Sequence, residues 1–149
     1  LRAGFQTFAH GVEIDRPIFL AHRFEHFYRR DATLQIITVG DHRWDFYKNG
    51  VDFIQKYIFP GGMLPSPTIL RQQIDQAGLH LVRSKEFGKS YDLTLRRWYD
   101  TFNSKWDQIS DLGFDERFRR MWNYYLTACG AAFDTGNCDV TQITIAKPS

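Results

Sequence analysis

Residues 52–67 read DFIQKYIFPGGMLPSP, and the organisation of the chain follows from how that stretch starts, stops and restarts. Phe53, Ile54, Tyr57 and Ile58 recur at helical spacing, which predicts a short helix laying one apolar stripe against a core. Pro60 and the Gly61-Gly62 pair end it, because proline offers no amide for the helix ladder and glycine is free to take positive φ. Ser66-Pro67 then restarts a helix: the serine hydroxyl accepts from an orphan amide at the N-cap, and proline occupies the first position, where a missing N–H costs nothing. A helix, a rigid corner and a capped helix are more local specification than a surface loop needs.

Working outward toward the N-terminus, residues 42–51 carry Trp44, Phe46 and Tyr47 among charges, as a surface loop or short helix would. Before them TLQIITV, Thr33 to Val39, is β-branched and apolar, which predicts a central strand buried on both faces and closed by Gly40-Asp41. Further back, Ile18, Leu20, Ala21, Phe24 and Phe27 allow a helix over about 16–30, preceded by a turn at His10-Gly11.

In the other direction, residues 67–77 read as a helix with Leu70, Gln73, Ile74 and Ala77 on one face and Gly78 just past its end. Leu79 to Phe87 reads as a strand. Tyr91, Leu95, Trp98, Phe102, Trp106 and Ile109 recur at spacings of 4, 3, 4, 4 and 3, predicting one long helix that runs to Gly113. A second long helix, capped by Asp115, carries Phe118, Met121, Trp122, Tyr125, Cys129, Ala132 and Phe133, and the two form a helical hairpin. VTQITIA, Val140 to Ala146, is the last strand, with Leu79 to Phe87 as its expected partner. Strands alternating with helices make the fold class α/β.

Composition bounds the function classes. The chain has 149 residues, of which 43% are hydrophobic, which is one domain's worth and enough for a core. A net charge of +2 from interleaved acids and bases gives no footprint for nucleic acid. Arg117-Phe118-Arg119-Arg120 is the nearest thing to a basic cluster and reads as a solvated helix face. Cys129 and Cys138 are too few and too far apart for a zinc motif or a disulfide scaffold, and His22, His42 and His80 have no ligand spacing. A reduced, cytoplasmic setting is expected. No run of about 18 apolar residues and no signal peptide is visible, so any membrane contact would be peripheral, at the inner face. The aromatic share, 16%, suits a site for a long apolar substrate as well as a core.

YIFPGGMLPS, GKSYDLTLRRWYDTF and DERFRRMWNYYLTACGAAF followed by DVTQITIAK resemble the C-terminal half of the cyclopropane-fatty-acyl-phospholipid synthases. That family includes the mycolic acid cyclopropane synthases and related S-adenosylmethionine-dependent lipid methyltransferases. The resemblance spans residues 34–147 in order and at similar spacing. It implies the C-terminal part of a seven-stranded Rossmann-like methyltransferase sheet over residues 32–149, with an inserted helical lid. Residues 33–39, 79–87 and 140–146 would be its fifth, sixth and seventh strands, the seventh antiparallel and beside the sixth. The helices over 91–134 would cover the acceptor pocket, and residues 1–31 are an atypical N-terminal segment.

The implied reaction is methyl or methylene transfer from S-adenosylmethionine to an unsaturated acyl chain of a phospholipid. The alkene attacks the sulfonium methyl, and bound bicarbonate takes a proton from the resulting cation. Such a cation needs a dry cavity free of stray nucleophiles and one base held in place. Tyr91 matches the family tyrosine that helps hold bicarbonate. The family histidine falls at Ile37, which has no donor, leaving Gln35 as a substitute; the family glutamate has its context in Phe24-Glu25-His26, with Glu25 only 12 residues before Ile37. Phe59, Gly61, Gly62, Trp98 and Tyr125 are the expected acceptor-pocket residues.

The glycine-rich turn and acidic strand end that bind S-adenosylmethionine in this fold are not visible, since Gly61-Gly62 follows a helix rather than a strand. The cofactor-binding half is therefore expected to be truncated, cleaved or carried on another chain, and either a homo-oligomer or a partner that supplies that half is expected. The other reading is a non-catalytic lipid-binding or regulatory remnant of the same fold.

Overall fold

A computed structural model of the chain describes residues 31–148. Three antiparallel strands form its sheet: β1 (Asp31–Val39), β2 (His80–Glu86) and β3 (Cys138–Ala146), in the order β1-β3-β2. The last strand in sequence is thus the middle one. Cys138–Ala146 pairs along its whole length with β1, from Asp31 opposite Ala146 to Val39 opposite Cys138, and also with β2, from His80 opposite Ala146 to Glu86 opposite Thr141. The expected β2–β3 pairing is present, with a register shift between Leu81 and Arg83.

The expectation of a central strand at Thr33 to Val39 is corrected. Among the described residues β1 pairs with β3 alone, and only its last two residues, Thr38 and Val39, are buried. Its continuous apolar sequence overstated its burial: Thr33 and Gln35 stand opposite Thr144 and Gln142 on a polar stretch of sheet.

Alternation along β3 sends Ile143 and Ile145 to one face and Val140 to the other. On the first face lies α2 (Pro67–Gln76), packing Leu70 and Ile74 on the two isoleucines, with Ala32, Leu34 and Ile36 of β1 around them. Its ends are set by chemistry legible in the sequence. Ser66 Oγ accepts from the Ile69 amide at 3.3 Å with Pro67 at the first position. At the far end the Gly78 amide donates to Asp75 O at 3.0 Å and the Leu79 amide to Ile74 O at 3.1 Å. That double bond closes a Schellman motif, and the buried pair Ile74 and Leu79 packs beneath it.

The other face carries a helical hairpin, α3 (Gly88–Ser104) and α5 (Glu116–Asp134), joined through the short α4 (Trp106–Ser110). The single long helix expected from Tyr91 to Ile109 is interrupted at Lys105 (φ −109, ψ 15), whose amide is shared between Thr101 O at 3.2 Å and Phe102 O at 3.3 Å. Asp115 caps α5 as expected, accepting from the Phe118 amide at 2.8 Å. Asn103 and Asn123 exchange amide hydrogen bonds across the hairpin at 2.8 and 3.2 Å, and Arg119 donates to Asn103 Oδ1 while its guanidinium lies 5.1 Å from the Trp106 ring. Arg119 is therefore part of the hairpin seam, whereas Arg117 and Arg120 are the solvated residues of that run. The remaining helix, α1 (Asp41–Lys48), follows β1 and buries nothing.

Candidate functional site

The α3–α5 hairpin sits over the carboxyl end of β1, the end at which open α/β sheets bind ligands. Leu95 of α3, Leu126 and Phe133 of α5 and Val140 of β3 form the buried centre, with Ile37, Tyr91, Tyr125, Cys129 and Cys138 packed around it. Tyr91 stands in the first turn of α3, its ring 5.1 Å from Phe133 and 6.4 Å edge-on from Trp98. Its hydroxyl makes no hydrogen bond among the described residues. Tyr125 lies 5.1 Å from Trp122 and 6.0 Å, edge-on, from Phe59.

The cluster keeps its acids neutral. Burial pushes the Tyr125 phenol up to about 12, helped by the nearby Cys129 and Tyr91. The Cys129 thiol is pushed up to about 12, again first by burial and then by Cys138 and Asp52. Burial also raises Cys138, against an opposing pull from Arg43. Thiols so protonated are poor nucleophiles. An apolar guest that must not meet a stray nucleophile has suitable walls here.

The corner over residues 52–64 borders this cluster, and its logic differs from the expected apolar helix. Residues 54–58 form one π-turn, closed by the Phe59 amide donating to Ile54 O at 2.8 Å. Gln55, not the aromatic stripe, is the buried side chain of the turn. It belongs to a capping box: the Asp52 amide donates to Gln55 Oε1 at 2.9 Å and the Gln55 amide to Asp52 Oδ1 at 2.8 Å. Gln55 Nε2 then reaches Gly62 O at 3.2 Å, tying both ends of the corner together. Tyr57 and Phe59 are left 51% and 57% exposed, which corrects the greasy stripe expected there. Gly61 has φ +76, whereas Gly62 keeps an ordinary φ and is confined instead by Phe59, whose carbonyl oxygen would stand 3.0 Å from an added Cβ. The Leu64 amide donates to Tyr47 Oη at 3.2 Å, fastening the corner to α1.

Among the residues singled out in the sequence, Tyr91 and Tyr125 come together in one cluster with Ile37, where the resemblance would put a histidine. Phe59 meets the edge of that cluster, and Gly61 and Gly62 shape the turn that carries it. Trp98 is 49% exposed and reaches outward. Gln35 is solvent-exposed on the polar part of the sheet, opposite Gln142 and two residues before Ile37 along β1, and the structure does not join it to the cluster. Glu25 and the helix expected over 16–30 lie outside the described residues. A concavity of about 360 Å³ lies along α3 and α4, lined by Trp98, Phe102, Lys105, Ile109 and Leu112; it is not the tyrosine cluster.

Sequence reasoning passed over Gln55, although the D-x-x-Q spacing that announces a capping box was readable, and Asp139, whose partner is 51 residues away. Among the described residues no helix is long and apolar enough to cross a membrane, and no group of His, Cys, Asp and Glu is placed to hold a metal.

The mycolic acid cyclopropane synthetase family model matches residues 11–143. The tuberculostearic acid methyltransferase UfaA1 of Mycobacterium tuberculosis is 40% identical over 117 residues, covering 78% of this chain and 27% of the relative. The cyclopropane-fatty-acyl-phospholipid synthase of Escherichia coli K12 is 38% identical over 112 residues, covering 74% of this chain and 28% of the relative. The chain thus spans about a quarter of the length of these curated relatives. Among solved structures, the M. tuberculosis cyclopropane synthase MmaA2 superposes with a TM-score of 0.76 at 26% identity, over 90% of this chain and 50% of that one. CmaA1, a mycolic acid cyclopropane synthase solved with SAH and CTAB, superposes with a TM-score of 0.69 at 28% identity, over 78% of this chain and 44% of that one. The sheet and hairpin have the α/β, Rossmann-like fold of these methyltransferases over part of its extent. With blocks on both sides of the corner matched in order, the chain belongs to the mycolic acid cyclopropane synthetase family.

Proposed function

We propose that this chain is the acceptor side of an S-adenosylmethionine-dependent lipid methyltransferase, receiving an unsaturated acyl chain of a phospholipid for methyl or methylene transfer. The convergence of Tyr91, Tyr125, Phe133 and the protonated Cys129 on the carboxyl end of β1 carries the reading. CmaA1 was solved with CTAB, an amphiphile with one long alkyl chain, and with SAH. Apolar walls would bind the acyl chain by burying its methylenes, at roughly 0.8 kcal/mol each. They would also exclude water from its double bond.

The described residues do not fit S-adenosylmethionine itself. Two glycines, Gly40 and Gly88, stand between a strand and a helix, where a nucleoside's ribose would need open backbone, and both have a side chain against them. The His42 ring lies over Gly40, within 2.6 Å of where a Cβ would be, and the Asp139 carboxylate lies against Gly88 at 2.7 Å. The cofactor would be held by polypeptide outside the described residues, preceding them or on another chain. Bicarbonate fits no better: among the described residues the donors of the cluster are weak neutral groups, the phenols of Tyr91 and Tyr125 and the thiols of Cys129 and Cys138, too little to cradle an anion. No step is derived through either group.

Calorimetry on the full chain tests the reading. Titration with 1-oleoyl lysophosphatidylglycerol below its micelle concentration is expected to give saturable heat, and S-adenosylmethionine none. Absence of lipid binding overturns the acceptor reading, and a cofactor heat from the chain alone overturns the assignment of that site elsewhere. Lipid binding that never supports turnover, even with a cofactor-binding half added, would favour a regulatory remnant.

A further inference from the structure

The first turn of α3, which carries Tyr91, is held by a residue from another element. Phe87 precedes the helix and provides no side-chain cap. In its place Asp139, at the start of β3, accepts the Gly88 amide on Oδ1 at 2.7 Å, and the same oxygen accepts the Val140 amide at 2.7 Å. The Phe87 amide in turn donates to Val140 O at 3.0 Å. The fit is close enough to require glycine: a Cβ on residue 88 would stand 2.7 Å from Asp139 Oδ1 and 3.1 Å from its Cα. One carboxylate therefore binds the backbone of the strand and the backbone of the helix at once, and a negative charge there also complements the helix dipole.

Tyr91 follows Gly88 by three residues, within reach of that anchor, and Val140, beside Asp139, is fully buried in the cluster that Tyr91 joins. A shift of the helix start by a fraction of an ångström would turn the Tyr91 ring against Phe133 and move its hydroxyl. We infer that Asp139 is a positioning residue, fixing the Tyr91 hydroxyl toward the acceptor through the N-terminus of α3 and touching no substrate itself. This rests on the acceptor reading for its functional meaning, but the geometry can be tested without it.

The test uses the 149-residue chain carrying 13Cζ-labelled tyrosine, with the Tyr91 resonance assigned through Tyr91→Phe. Asp139→Ala is expected to move that resonance and to weaken binding of 1-oleoyl lysophosphatidylglycerol about tenfold, whereas Asp139→Asn, which keeps an oxygen to accept the Gly88 amide, should stay within about twofold of wild type. Ser66→Ala, which removes the cap of α2 on the opposite face, controls for lost stability and should leave the Tyr91 resonance in place. Should Asp139→Ala fail to fold, Gly88→Ala decides, since its new methyl must displace the carboxylate and shift the resonance. A stationary Tyr91 resonance in whichever of these two variants folds, or an equal shift from Ser66→Ala, overturns the inference. If the wild-type chain binds no lipid, the acceptor reading fails while the resonance still settles the positioning.

Discussion

Cys129 and Tyr125, one helical turn apart on α5, both hold their protons more tightly in the folded chain than in the unfolded one. Burial is the main cause for each, raising the thiol from 9.0 and the phenol from 10.0 to about 12. The sign of the linkage follows. Above pH 9 the unfolded thiol begins to lose a proton that the folded one keeps, so folding becomes less favourable as pH rises. The contribution is fully present below pH 9 and is lost as pH climbs toward about 12, with the Tyr125 phenol joining above pH 10. Urea midpoints are therefore expected to fall steadily from pH 9 to 11, and Cys129→Ala should flatten the first part of that fall. A flat wild-type profile would mean that water already reaches the thiol. Residue-scale chemistry of this kind was partly legible beforehand, because Cys129 falls on the apolar stripe of its helix. The coupling to Cys138 was not, since only the fold brings the end of α5 beside the start of β3.

At the scale of elements, the corner over residues 52–64 separates what local sequence decides from what packing decides. The stop at Pro60, the positive φ at Gly61 and the restart at Ser66 follow from individual residues and stand as read. The helix before the stop does not. Hydrophobic spacing placed Tyr57 inward, but the capping box and the bond to Gly62 O draw Gln55 in and leave room for only one π-turn. A buried side-chain amide with two partners outweighs a weak apolar stripe because each unmet bond would cost about 1–3 kcal/mol. Gln55→Leu, similar in volume, should therefore destabilise the chain by about 1–3 kcal/mol in urea unfolding and sharpen the exchange of the Gly62 and Phe59 region with deuterium. A loss under about 0.5 kcal/mol would show that water replaces the side chain at no cost. The break at Lys105 is a similar case. Its stripe residues continue the helical spacing into α4, and nothing in that spacing marks where the ladder is shared between two carbonyls.

The two apolar clusters of the molecule share no helix. Leu70 and Ile74 serve one, Leu95, Leu126 and Phe133 the other, and β3 alone contributes buried residues to both, through Ile143 and Ile145 on one face and Val140 on the other. The strand that completes the sheet is also the last of the described strands in sequence, so the cluster over α2 closes only when residues distant in sequence return to it. The pairing of β3 with β2 was legible in the sequence and in the resemblance, which put an antiparallel strand beside the sixth; the place of β3 between β1 and β2 was not. Ile143→Ala removes methylenes from a side chain 2% exposed and is expected to cost about 2–5 kcal/mol, a large share of the roughly 5–15 kcal/mol that holds a domain together. Because β3 couples the faces, the loss should be felt on both. Fluorescence of Trp122, on the far face in α5, and amide exchange of Leu34 and Ile36, on the near one, should move to the same lower urea concentration. If Trp122 unfolds at its wild-type midpoint while the β1 amides open early, the hairpin is an independent unit, and an acyl chain bound there would stabilise α3 and α5 without stabilising the sheet.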